Sequence, residues 1–92
     1  MAEGTLKAPQ LRRLSVSGSS VGNIPANDYV TITIPTYNLV SGFVNLQTSP
    51  NRISWIVSRI SSVIGGTEIR IMNTSSNVVQ ANDWTFYYTV MN

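Results

Sequence analysis

The chain has 92 residues, of which four are acidic and six are basic, and it contains neither histidine nor cysteine. Thiol nucleophiles, imidazole bases and the usual zinc and haem sites are therefore excluded, so the composition predicts a non-enzymatic protein with no catalytic residue, no metal site and no cofactor. Charged residues make up only 11% of the chain, against about 25% in ordinary soluble domains.

A chain of this length corresponds to one domain. Residues 1–10 include Gly4 and Pro9 and show little apolar periodicity, so we predict a flexible N-terminal arm followed by a single domain over 11–92. The N-terminal residues lack the continuous apolar core of a signal peptide. No stretch approaches the roughly 18 apolar residues of a membrane helix, and we expect no membrane insertion.

The first half of the domain alternates apolar and polar residues, which is the period of a β-strand. Residues 11–17 begin this pattern, and 28–34 (DYVTITI) continue it with Val and Ile on one face and Tyr and Thr on the other. Pro35 ends the second strand because proline cannot donate a hydrogen bond to a neighbouring strand. Residues 42–48 (GFVNLQT) predict a third strand, whose Val and Leu side chains face opposite to Phe43.

The segment 53–64 (ISWIVSRISSVI) fits two structures. Four isoleucines are also spaced as on one face of a helix: Ile53, Ile56, Ile60 and Ile64. The segment lacks Ala, Leu, Glu and Lys, however, and its β-branched residues and Trp favour a strand. Gly65-Gly66 then predicts a two-residue hairpin turn into the strand 67–73, which faces Ile69 and Ile71 inward.

A polar loop with a short extended piece at Val78-Val79 leads to the last predicted strand, 84–91 (WTFYYTVM). One face of this strand is apolar: Trp84, Phe86, Tyr88 and Val90. About six short strands, polar turns and no convincing helix predict an all-β fold, a small antiparallel β-sandwich or jelly-roll-like domain. Asn73-Thr74-Ser75 formally matches an N-glycosylation acceptor, and we interpret it as a loop.

Exposed aromatic residues are the main candidates for recognition. Tyr87 points away from the apolar face of its strand and lies between two threonines, while Tyr37 and Asn38 belong to the loop after Pro35. Aromatic faces stack on sugars and nucleobases, and Tyr is enriched at interfaces. We therefore predict Tyr87, Tyr37 and Asn38 as ligand-binding residues.

Self-association is expected, because so short a chain without disulfides or structural metal forms a small core. Glu68 and Arg70 share one face of a strand, and the predicted hairpin sets Arg59 against them, near Arg70 or Met72 in register depending on the length of the loop. We predict an oligomer interface formed by Arg59, Glu68, Arg70 and Tyr29. The alternative for the charged residues is an exposed cross-strand pair that stabilises the fold by a few tenths of a kcal/mol.

Three segments of the chain carry a family resemblance: VSGSSVGNIPANDYVTITIP, GFVNLQTS and IRIMNTSSNVVQANDWTFYYTV. Over residues 14–92 the chain resembles the C-terminal tip domains of bacteriophage and prophage tail proteins. A late strand of the form I-x-I-x-N-x-S-S is matched by Ile69, Ile71, Asn73, Ser75 and Ser76, and the closing aromatic strand by 84–90. The resemblance implies a homotrimeric β-sandwich of the virion or an extracellular surface, with receptor sites in loops or between subunits.

Three functions follow as hypotheses. The first is a phage tail-tip or adhesion module that self-associates and binds a bacterial cell-surface ligand, a saccharide or a protein. The second is a structural capsid or tail component that contacts only other virion proteins. The third is a small inhibitor or nucleic-acid-binding protein that uses Arg12, Arg13, Arg52 and Arg59. Nucleic acid is the least favoured partner, because the basic residues form no run beyond Arg12-Arg13.

Overall fold

The computed structural model of the protein describes residues 10–48 and 51–91. Six strands form two three-stranded antiparallel sheets, and no α-helix occurs in the described residues. The strands are β1 Leu11–Ser17, β2 Asp28–Ile34, β3 Leu39–Leu46, β4 Ile53–Ser61, β5 Gly66–Asn73 and β6 Trp84–Met91. Sheet I has the order β1-β6-β3, and sheet II has the order β2-β5-β4. This confirms the predicted all-β sandwich; the predicted arm at 1–10 lies outside the described residues except for Gln10.

The core lies between the two sheets and is built mainly by the central strands β5 and β6. Alternate side chains point inward, as the period of two requires, and they are buried in both strands. The buried apolar residues are Ile24, Ile32, Ile34, Ile69, Ile71, Val79, Trp84, Phe86, Tyr88 and Val90. Phe86 contacts Trp55 of β4 edge-to-face at 5.2 Å between ring centroids, which joins the two sheets.

The strand registers define two ends of the sandwich. The loop end contains the connections 18–27 and 74–83, and the hairpin end contains the turn 62–65. At the loop end Ile24 and Val79 exchange two backbone hydrogen bonds of 2.8 and 2.9 Å. Val79 is the extended residue that the sequence pattern predicts in this loop.

Asn73 fixes the loop end from the inside. Its Nδ2 donates to the carbonyls of Ile24 and Asn77 at 3.2 and 2.7 Å, and its Oδ1 accepts from the backbone N–H and the hydroxyl of Ser75 at 3.0 and 2.7 Å. The residue is only 1% exposed. Its amide nitrogen is therefore engaged inside the fold. Asn73 itself ends β5, and of the formal glycosylation acceptor only Thr74 and Ser75 belong to the loop.

The hairpin between β4 and β5 corrects two predictions. The segment at 53–61 is a strand, but Gly65-Gly66 is not a two-residue turn, because Ser61 pairs with Gly66 and four residues, 62–65, form the turn. Gly66 begins β5, and a Cβ there would collide with the carbonyl of Ile34, so glycine is needed for close approach to β2.

The longer turn and a bulge in β4 also change the predicted register. The bulge lies between Val57 and Arg59, and beyond it Arg59 is opposite Glu68. Arg59 therefore faces Glu68, one of the two charged residues that the predicted hairpin sets against it, and the finer register near Arg70 or Met72 is wrong. An extra residue in one strand displaces every pair beyond it, and alternation alone does not reveal where such a residue is inserted.

Candidate ligand-binding groove

The outer face of sheet I is concave and forms a groove of about 620 Å³. Three consecutive residues from each strand line it, and the pairing of β1 and β3 with β6 places these residues side by side. The side chains that face the groove belong to Arg13, Ser15, Ser41, Phe43, Tyr87 and Thr89. We call this site the aromatic groove.

The floor of the aromatic groove is the backbone of the residues between these six. Leu14, Gly42 and Tyr88 line the groove, yet strand alternation turns their side-chain positions toward the core. At Gly42 a Cβ would lie 2.6 Å from Phe86 Cζ. The Phe86 ring thus fills the space that a side chain at this position would need, so glycine allows the core to pack directly beneath the groove.

Two stacked rings dominate one wall of the groove. Phe43 and Tyr87 are direct cross-strand partners, and their ring centroids are 5.3 Å apart with an interplanar angle of 25°. They remain 59% and 40% exposed, respectively. An offset-stacked pair is rigid, because each ring restricts the rotation of the other, and it presents a broad apolar surface to a ligand.

The opposite wall is polar and carries a positive charge. Ser15 is opposite Tyr87, and Arg13 is opposite Thr89. None of the described residues that line the groove carries a carboxylate. The one ion pair formed among residues 10–48 and 51–91 joins Arg59 to Glu68 on the other sheet. The guanidinium of Arg13 is therefore available to an anionic or hydroxyl-rich ligand.

The structure separates the three residues that the sequence predicts as ligand-binding. Tyr87 lines the aromatic groove, whereas Tyr37 and Asn38 lie outside its lining, in the connection between β2 and β3. Tyr37 is half exposed. The carbonyl of Asn38 accepts a 2.9 Å bond from the backbone of Met91, so this connection lies beside the end of β6, two residues beyond Thr89.

Sequence reasoning missed Phe43 and Arg13 as groove residues. The alternation of β3 does place Phe43 on the polar face, away from Val44, and that signal marks an exposed aromatic residue. Nothing in the local sequence shows that Phe43 pairs with Tyr87, because the two residues are far apart in the chain and their contact depends on the β3–β6 register.

The predicted interface residues meet on the outer face of sheet II. Arg59 Nη2 lies 3.9 Å from Glu68 Oε2, and Ser58 Oγ donates to Glu68 Oε1 at 3.1 Å. The guanidinium of Arg70 lies 4.1 Å from the ring centroid of Tyr29, a cation–π contact. These four side chains thus form two intrachain pairs on the side of the molecule opposite the aromatic groove.

The four arginines of the nucleic-acid hypothesis do not form one patch. Arg12 and Arg13 belong to β1, at one edge of sheet I, whereas Arg52 and Arg59 lie at or in β4. Strand β4 approaches β3, the other edge of sheet I, so the two pairs occupy opposite sides of the sandwich. This dispersal is unlike the continuous basic surface that typically binds a phosphate backbone.

Comparisons of the chain with family models, with curated proteins and with solved structures found no match. In the described part of the chain, no group of three or more acidic side chains is placed to hold a metal ion. None of its helical segments is long and apolar enough to cross a membrane. The geometry of the aromatic groove and the sequence resemblance are therefore the grounds for a functional proposal.

Proposed function

We propose that the protein is a non-enzymatic module of a phage virion, which self-associates and binds a bacterial surface saccharide in the aromatic groove. The observation that carries this proposal is the exposed Phe43–Tyr87 stack inside a concavity of about 620 Å³. A volume of roughly 300–1,000 Å³ is typical of small-ligand sites. The apolar faces of sugar rings pack on aromatic rings, and their hydroxyls bond to side chains such as Ser15, Ser41 and Thr89.

Two further features support this proposal. Hydrolysis of a glycosidic bond uses a pair of carboxylates. Within residues 10–48 and 51–91 the groove lining contains neither Asp nor Glu, which favours binding without cleavage. The resemblance to phage tail-tip domains adds the virion location and the bacterial surface as the source of the saccharide. Self-association would place several aromatic grooves on one particle, which could then bind several of the repeated sugars on a bacterial surface.

The proposal is tested by titrating the full chain with a panel of bacterial surface polysaccharides and their oligosaccharides, measured calorimetrically. We expect saturable binding that Tyr87→Ala and Phe43→Ala each weaken at least about tenfold, since each removes half of the stack and a tenfold change corresponds to about 1.4 kcal/mol. Ile56→Ala, at an exposed apolar side chain on the outer face of sheet II outside β2, is the matched control and should bind as the native chain does. Equal losses in Ile56→Ala and Tyr87→Ala, or no saturable binding to any saccharide, would contradict the proposal.

A second candidate function, a structural virion component that contacts only other virion proteins, is favoured by β4. This edge strand exposes Ile56, Val57 and Ile60, and exposed apolar edges commonly mark protein contacts. Binding to virion proteins without saturable binding to saccharides or whole bacteria would favour this second function over the first.

A further inference from the structure

The two sheets leave four strand edges without a partner in the described chain: β1, β3, β2 and β4. An edge strand presents unpaired N–H and C=O groups, and proteins commonly protect it with bulges, charged side chains or proline. The edges differ in how well they are protected, and this difference indicates which edge can pair with another strand.

Three of the four edges carry a protecting feature. Strand β3 has a register shift between Leu39 and Ser41, and β4 has its bulge between Val57 and Arg59. Strand β1 carries the consecutive charges Arg12 and Arg13. These features interrupt the hydrogen-bonding row or place charge along it, which disfavours the addition of another strand.

Strand β2 has none of these protections along its length. Its seven residues, Asp28–Ile34, pair with β5 without a shift, and the only charge is at the first residue. The six that follow are Tyr, Val, Thr, Ile, Thr and Ile, which are the residue types most favoured in strands. From Tyr29 to Ile34 the edge of sheet II at β2 is therefore regular and uncharged, and it has no partner strand among the described residues.

We infer that β2 pairs antiparallel with β2 of a second copy, about a twofold axis near Thr31, and forms a continuous six-stranded sheet. In this register Val30 of one copy lies opposite Ile32 of the other, and Thr31 lies opposite Thr31. Apolar side chains thus remain on the inner face and polar ones on the outer face across the junction, as strand pairing requires.

Charge complementarity supports a second copy as the occupant. Asp28 lies at the loop end, Arg12 lies at the hairpin end, and strand alternation turns both toward the inner side of their sheets. Strands β1 and β2 lie on the same side of the sandwich, because β3 approaches β4 at the other. Antiparallel pairing therefore places Asp28 of each copy at the hairpin end of the other copy, where Arg12 lies. The twofold axis generates two such Asp28–Arg12 charge pairs.

Within the described residues these two charges lack partners of opposite sign. Asp28 Oδ1 accepts a 2.8 Å bond from the adjacent backbone N–H of Tyr29. The ion pair formed among the described residues lies elsewhere, between Arg59 and Glu68. Both Arg12 and Asp28 are exposed, so each pair adds modestly to affinity and mainly sets the register of the two strands.

This inference rests on the self-association in the proposed function and names its interface, with twofold symmetry in place of the trimer that the resemblance implies. It does not depend on the ligand. The aromatic grooves lie on the outer faces of the two copies of sheet I, away from β2, so saccharide binding and pairing are separable in experiment.

The test is sedimentation velocity of the full chain over a range of micromolar concentrations. We expect a dimer whose dissociation constant Thr31→Lys raises at least tenfold, because two lysines then meet at the axis. Ser54→Lys, on the opposite edge strand of the same sheet, is the matched control and should leave the constant unchanged. Circular dichroism establishes that each variant is folded.

Charge exchange provides an independent arm. Arg12→Asp and Asp28→Arg should each weaken the dimer severalfold, and the double variant should restore it. A monomer at every concentration, a trimeric mass, or equal effects of Thr31→Lys and Ser54→Lys would overturn the inference. Loss of saccharide binding in Tyr87→Ala with the dimer intact would instead bear only on the aromatic groove.

Discussion

Single polar residues determine how tightly the loop end is held, and Asn73 is the strongest case. The side chain is buried in a strand, where an unpaired amide would be costly, but its nitrogen and its oxygen each make two hydrogen bonds. The sequence shows an asparagine followed by a polar loop. It does not show that the partners come from both 24 and 75–77, since the first of these is 49 positions away.

We predict that Asn73→Ala lowers the free energy of unfolding by about 1–3 kcal/mol, because it leaves buried donors and acceptors without partners. The measurement is urea denaturation followed by tryptophan fluorescence. Asn77→Ala is the matched control in the same loop. Asn73 and Ser75 donate to the main-chain carbonyl of Asn77 and not to its side chain, so alanine keeps these bonds. The free energy of unfolding of Asn77→Ala should therefore stay within about 0.5 kcal/mol of the native value. Comparable losses in both variants would show that the loop, and not the buried amide, is responsible.

At the level of elements, alternation predicts the strands well and their connections poorly. Strands β2 and β6 follow a strict period of two, so their inner and outer faces could be assigned from the sequence and agree with their burial. The bulge in β4 and the four-residue turn after Ser61 could not be predicted from the sequence. Alternation does not mark the position of a bulge, and Gly65-Gly66 has the local pattern of a two-residue hairpin turn. Close approach of Gly66 to β2, a tertiary contact, determines where the turn ends.

Adjacent residues of β6 provide a direct test of this alternation. Phe86 is fully buried, whereas Tyr87 is exposed in the aromatic groove. Phe86→Ala should lower the free energy of unfolding by about 3–5 kcal/mol through lost burial and a cavity. Tyr87→Ala should cost about 1 kcal/mol, mainly the stacking on Phe43. Urea denaturation of the two variants measures both values. Similar losses in the two variants would mean that Tyr87 stabilises the core. Weaker saccharide binding by Tyr87→Ala would then reflect unfolding and not a lost contact with the ligand.

At the scale of the whole molecule, the low charge content of the chain is seen on two surfaces, the aromatic groove and the β2 edge. Among the described residues, the groove lining contains one charged residue, Arg13, and the strand β2 contains one, Asp28. The sequence predicted an exposed Tyr87 and self-association of the chain. The groove itself could not be predicted, because it requires β1 and β3, which are separated in the chain, to flank β6 in a known register.

The two proposals together predict a bivalent particle. Pairing through β2 leaves both aromatic grooves open, so a dimer can engage two saccharides of one surface, and linked sites typically raise the apparent affinity by about 10²–10⁴. Thr31→Lys should therefore weaken binding to whole bacteria or to immobilised polysaccharide by at least about tenfold. It should leave the calorimetric affinity for a short, monovalent oligosaccharide unchanged, because each groove is complete within one chain. Ser54→Lys should behave as the native chain in both measurements. If Thr31→Lys weakened binding to the short oligosaccharide as much as to the surface, the groove would require the second copy, and independent sites would be ruled out.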